Sequence, residues 1–116
     1  MSFNVLAAAC EHIAAKTGMP CSTQVPATRP AEFVTVERTG GSYQLGRDVA
    51  NLAVQCWAGS DYEAYTLALA VREAVCGMRE AIPQVCKVEA ASLYEYGDVE
   101  GGTPRYQLDA YVTTRP

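Results

Sequence analysis

The stretch VQCWAGSDYEAYTLALAVREAV (54–75) constrains this chain more than any other. An apolar run ending in Trp57 passes within three residues into a long amphipathic segment. Ser60 is a good N-cap, and Glu63 three residues on completes a capping box. Asp61 adds negative charge at the positive end of the helix dipole. Ala64, Leu67, Ala68, Val71, Val75, Met78 and Ile82 recur at helical spacing over about six turns. Pro83 ends this helix. So short a connector makes strand and helix one compact unit, in which Leu52, Val54 and Cys56 meet Leu67, Val71 and Val75.

A second stripe runs beside the first: Tyr62, Tyr65, Leu69 and Cys76, with Arg72 between. It reads either as the margin of a broad core face or as a contact surface, since Tyr and Arg are enriched at interfaces. The margin reading is the one favoured here.

The flanking segments supply the rest of a sheet. Residues 3–17 predict a first helix, with Phe3, Leu6, Cys10 and Ile13 as its apolar stripe. Gly18 stands where a left-handed cap belongs, and Pro20 follows. Pro20, Pro26 and Pro30 then impose extended backbone, predicting a short edge segment at 21–25 and a loop at 26–31. Residues 33–38 predict a strand with Val34 and Val36 on one face. Thr39, Gly40, Gly41 and Ser42 tolerate positive φ, so the chain is expected to reverse there. That leaves 39–47, with Tyr43, Gln44, Leu45, Gly46 and Arg47, as a loop longer than a tight hairpin. The return strand over 48–57 points Ala50, Leu52, Val54 and Cys56 to the core. Two more strands follow at 84–96 and 105–114, separated by a glycine-rich loop at 97–104. The last strand alternates cleanly, with Tyr106, Leu108, Ala110 and Val112 inward. The expected fold is α+β: a mostly antiparallel sheet with two main helices packed on one face, in a single domain over 1–116.

The chain's 116 residues suit one domain with a core of its own. Its formal net charge is −4, its 9 basic residues are scattered, and both facts argue against duplex nucleic-acid binding. No apolar run is long enough to span a membrane. The opening residues MSFNVLAAACEHIAAK lack a basic region and are broken by Glu11 and His12, so they do not read as a signal peptide. Cys10, Cys21, Cys56, Cys76 and Cys86 have no close pairing and read as free buried thiols in a reducing cytoplasm.

Catalysis needs a nucleophile, base or metal held by partners. His12 sits mid-helix without a relay and reads as a surface or half-buried residue. No phosphate-loop or nucleophile-elbow motif occurs. Asp98 and Glu100 lie in the glycine-rich loop, and two carboxylates are too few for a cation site. No catalytic, metal-binding or cofactor-binding residue is assigned. The chain is not expected to be an enzyme or to carry a cofactor.

Three segments carry a likeness to a known family. VPATRPAEFVTVERTGG (25–41) resembles the Pro-rich entry, first strand and Gly-Gly turn of the tail terminator proteins of long-tailed bacteriophages. DVANLAVQCWAGSDYEAYTLALAVREAV (48–75) is similar to that family's second strand and long helix, and GGTPRYQLDAYVTTRP to its last strand. The resemblance implies a subunit of a ring, typically a hexamer, that caps the finished tail tube and stops its polymerisation. The ring also forms the surface that joins tail to head. The implied partners are further copies of the chain, the major tail tube protein and the head-tail connector proteins. DNA would pass through the lumen without specific binding, past a surface of acidic balance. The implied location is the tail-neck region of the virion, after synthesis in the cytoplasm of the bacterial host. Contact residues expected on this basis are Arg38, Gly40, Gly41, Tyr43, Arg47, Tyr62, Tyr65, Arg72, Asp98, Glu100 and Arg105. Two other readings stand beside it: a head-completion or connector-adaptor protein of the same particle, and a small cytoplasmic ligand-binding or enzymatic α+β domain.

Overall fold

Asn4 starts the first helix by accepting a hydrogen bond from the Ala7 amide at 3.0 Å, and Gly18 ends it in the left-handed conformation with φ 73°. This is the beginning of a computed structural model that describes residues 3–96 and 102–116. The elements in order are α1 (Val5–Thr17), β1 (Cys21–Ser22), β2 (Phe33–Gln44), β3 (Arg47–Trp57), α2 (Asp61–Cys76), α3 (Met78–Ala81), β4 (Val85–Glu95) and β5 (Arg105–Thr114). The strands form one sheet in the order β1-β2-β3-β5-β4. Among the described residues β1 runs parallel to its neighbour, and the other pairings are antiparallel. The fold is the α+β arrangement expected from the sequence. Among the described residues no helix is long and apolar enough to cross a membrane.

The core lies between the sheet and the helix layer. Val34, Val36, Ala50, Leu52, Val54, Cys56, Leu108, Ala110 and Val112 face Leu67, Ala68, Val71, Val75 and Met78. Each fully buried Val or Leu contributes about 1.5–3 kcal/mol relative to exposure. The alternation read from β3 and β5 therefore holds, as does the Ser60 cap: its hydroxyl accepts from the Glu63 amide at 3.2 Å and donates to Glu63 Oε1 at 3.0 Å.

Four expectations need correction. The segment over 39–47 is not a long loop. β2 continues to Gln44, and a two-residue turn at Leu45 and Gly46 closes a tight hairpin against Arg47. Both turn residues have positive φ, 54° and 80°, which matches the twist of the flanking strands. Thr39 and Gly40, opposite Asn51, form a bulge inside β2, and Gly41 pairs in register with Ala50, so neither glycine makes the reversal. The long helix is also broken: α2 ends at Cys76, and α3 resumes after Gly77, which keeps a right-handed φ of −86°. In α1 the deeply buried face is Val5, Ala9, His12 and Ile13, while Phe3, Leu6 and Cys10 pack at its margin. The helix is wedged between α2 and the β1–β2 flank, so the buried face is broader than one stripe. Finally, the cysteines are free, but only Cys56 is buried, and Cys76 is exposed.

Candidate functional site

The sheet face turned away from the helices is built from the alternate residues of each strand. One row of register partners, Thr35, Gln55, Gln107 and Tyr94, crosses four strands. Hydrogen bonds link it along its length: Thr35 to Gln55 at 3.4 Å, Gln55 to Gln107 at 3.0 Å, Gln107 to Tyr94 at 2.8 Å. Gln107 also donates to Asp109 at 2.8 Å. Trp57 anchors one end by donating to the Thr35 hydroxyl at 3.2 Å and stacking on Phe33, with centroids 5.4 Å apart. This face is polar but not simply wet, because Gln107 and Thr35 are buried.

Arg105 belongs to that end of the sheet. Its guanidinium lies 4.5 Å from the Trp57 ring and 4.3 Å from the Tyr96 ring, an aromatic sandwich that holds a cation strongly once water is excluded. Arg29 approaches the same Trp57 ring at 5.4 Å and reaches Thr103. Arg105 is thus packed in place, not extended into solvent.

The hairpin of β2 and β3 lies at the other end. Arg38 donates both guanidinium arms to the Asp48 carboxylate at 2.8 Å and its Nε to the Gly40 carbonyl at 3.0 Å. The hydrogen bonds from Arg38 hold the Asp48 carboxyl below the ordinary carboxylate range, and the pairing raises Arg38 in turn. Tyr43 is 69% exposed and Leu45 is 93% exposed. Every residue of β2 from Glu37 to the turn is exposed. β1 pairs only with Val34 and Thr35, so most of β2 has one free edge among the described residues; β4 is the other free edge.

The third group sits on α2. Tyr62, Tyr65, Arg72 and Cys76 are exposed, and Leu69 is half-buried. Tyr65 tilts against Tyr106 at 5.2 Å. Tyr62, Arg72 and Cys76 are therefore surface, while Tyr65 and Leu69 stand at the margin of the core, where Tyr65 meets Tyr106.

Of the residues singled out by sequence, Arg38, Gly40, Gly41, Tyr43 and Arg47 come together on the hairpin. Tyr62, Tyr65 and Arg72 form the α2 surface, and Arg105 stands apart near the end of β3. Asp98 and Glu100 lie outside the described residues. Sequence reasoning missed Asp48, the partner of Arg38, and Leu45, the exposed apex. The Leu-Gly pair between strand-forming residues was the available signal for the turn. His12 is neither on the surface nor half-buried. It is buried between α1 and α2, with Nε2 2.8 Å from the Ala74 carbonyl. Among the described residues no group of three or more His, Cys, Asp or Glu side chains is placed to hold a metal ion.

This geometry can be set against known proteins. The fold has a counterpart in a virion structure. A chain of the structure described as the virion of a native gene transfer agent particle superposes with a TM-score of 0.70 at 15% identity. The match covers 97% of this chain and 95% of that one. No protein-family model matches the sequence, and no curated protein does.

Proposed function

We propose that the chain is a structural subunit of a phage-type virion and, more specifically, a tail terminator. In this reading copies of the chain close into a ring, of six subunits by the family resemblance. The ring caps the tail tube, ends its growth and presents the joining surface for the head connector. The observation that carries the reading is the end-to-end likeness to a chain of the gene transfer agent virion. The resemblance of three sequence segments to tail terminators supports the finer role. Contact residues on this proposal are the hairpin group (Arg38, Gly40, Gly41, Tyr43, Arg47), the α2 group (Tyr62, Tyr65, Arg72) and Arg105. The chain contributes no chemistry of its own and needs no cofactor. Exposed aromatic and arginine side chains on rigid elements are the composition that protein contacts use.

The test is light-scattering mass after size exclusion at low and high protein concentration, with negative-stain images, followed by binding to purified tail tubes. Discrete rings that bind one end of the tube are expected. A chain that stays monomeric and does not bind tubes would sink the proposal; binding to the head connector alone would make it an adaptor.

A further inference from the structure

We infer that the apex of the β2–β3 hairpin is an apolar plug that seats in the groove between α1 and α3 of a second copy of this chain. The inference rests on the ring reading above and names one contact that would close such a ring.

Leu45 is the most exposed large apolar side chain among the described residues, at 93%. It also holds φ at 54°, a conformation that Asn, Asp or Gly adopts far more readily. An isolated protomer gains nothing from leucine at this position, either in turn geometry or in packing. A surface that receives the side chain accounts for both departures at once. The arm that carries it is pre-organised. The bulge at Thr39–Gly40 sets its twist, and the Arg38–Asp48 pair braces its root.

The receiving groove is lined by Ala8, Ala15, Ala81 and Ile82, with Glu11 and His12, and has a volume of about 330 Å³. Its small side chains leave room for one leucine. The charges match as well. Arg47 follows the turn directly, Glu11 lies on the groove, both are exposed, and neither forms an ion pair among the described residues. β3 and β5 separate β2 from β4, on which α3 packs. Leu45 is almost fully exposed, so the tip of one copy is not seated in its own groove. The contact is head-to-tail between different surfaces, the kind that closes rings.

The experiment measures self-association of the full chain by analytical ultracentrifugation over a wide concentration range. The variants are Leu45→Asn, Arg47→Glu, Glu11→Arg and the double reversal Arg47→Glu with Glu11→Arg. Asn suits the turn, and both charges are exposed, so each variant keeps the wild-type circular dichroism spectrum. Leu45→Asn is expected to weaken association about tenfold or more. Each single reversal weakens it about fivefold, and the double reversal restores it. Association unchanged by Leu45→Asn, a double reversal no better than the singles, or a wild type that never associates would each overturn the plug. Rings that survive Leu45→Asn overturn the plug and leave the ring reading standing. Open dimers dispersed by Leu45→Asn keep the plug and sink the ring reading.

Discussion

Arg38 and Asp48 grip each other across the root of the β2–β3 hairpin through two contacts of 2.8 Å. The side chains are 33% and 22% exposed, so solvent screens the pair and its contribution is at most about 1 kcal/mol. Its effect is expected to be local, on the arm over 40–49. The carboxyl of Asp48 is held below its ordinary range by Arg38. A depressed acid contributes stability that is complete above the ordinary value near ~3.9 and is lost as pH falls through the lowered folded value. The protection factors of the arm's amides, taken against the intrinsic exchange rates at each pH, should fall on acidification below about pH 4. In Asp48→Asn the amides should exchange faster at neutral pH and show no further acid step.

Gly41 has no room for a side chain. A Cβ there would stand 1.9 Å from the Val49 carbonyl oxygen, at φ 126°. Gly40 has φ 156°, and a Cβ there would have only the Asn51 amide nitrogen as neighbour, at 3.8 Å. Gly41→Ala should lower unfolding free energy by about 2 kcal/mol or more, and Gly40→Ala by about 1 kcal/mol. Urea midpoints of the two variants would read the difference. Equal midpoints would mean that the bulge can shift register freely.

Gly77 presents the opposite case. It sits between α2 and α3 with right-handed φ, and an added Cβ would find its nearest neighbour, the Ala74 oxygen, at an ordinary 3.5 Å. Alanine would reduce the freedom of the unfolded chain without a clash. Gly77→Ala is expected to raise stability by about 0.5–1 kcal/mol. A thermal melt checks it, and a lower midpoint would show that the break between the helices needs glycine.

The five thiols should separate kinetically. Cys76 is exposed, whereas Cys56 is fully buried and its thiol is pushed up to about 12 by burial. Burial also pushes up Cys10 and Cys21. Reaction needs the thiolate and access to it. A time course with a chromogenic disulfide at neutral pH should label Cys76 first and Cys56 only on unfolding. Labelling of Cys56 at the rate of Cys76 would contradict the packing of β3 against α2.

Local signals were read correctly wherever one physical cause dominates. The Ser60 cap, the left-handed Gly18, the alternation of β3 and β5 and the helical stripe from Ala64 to Met78 follow from short-range sterics and periodic burial. Where two local signals competed, the reading went astray. Two glycines at 40–41 outweighed one at 46 as the expected turn, because glycine content does not distinguish a bulge from a reversal. The register of β2 against β3 makes that distinction.

Sequence alone determined the class of fold, the order of its elements and the inward face of the central strands, because apolar periodicity and capping are properties of neighbouring residues. It also supplied the arginines and tyrosines expected at contacts. Only the tertiary structure decided which of them act together. Arg38 meets Asp48 because β2 pairs with β3, Arg105 is clasped because Trp57 comes from β3 and Tyr96 from just past the end of β4, and His12 is buried because α2 crosses α1. The exposure of Leu45 follows from the tight turn that strand register selects. These are long-range pairings, and the energy that sets them is spread over the whole sheet and its core.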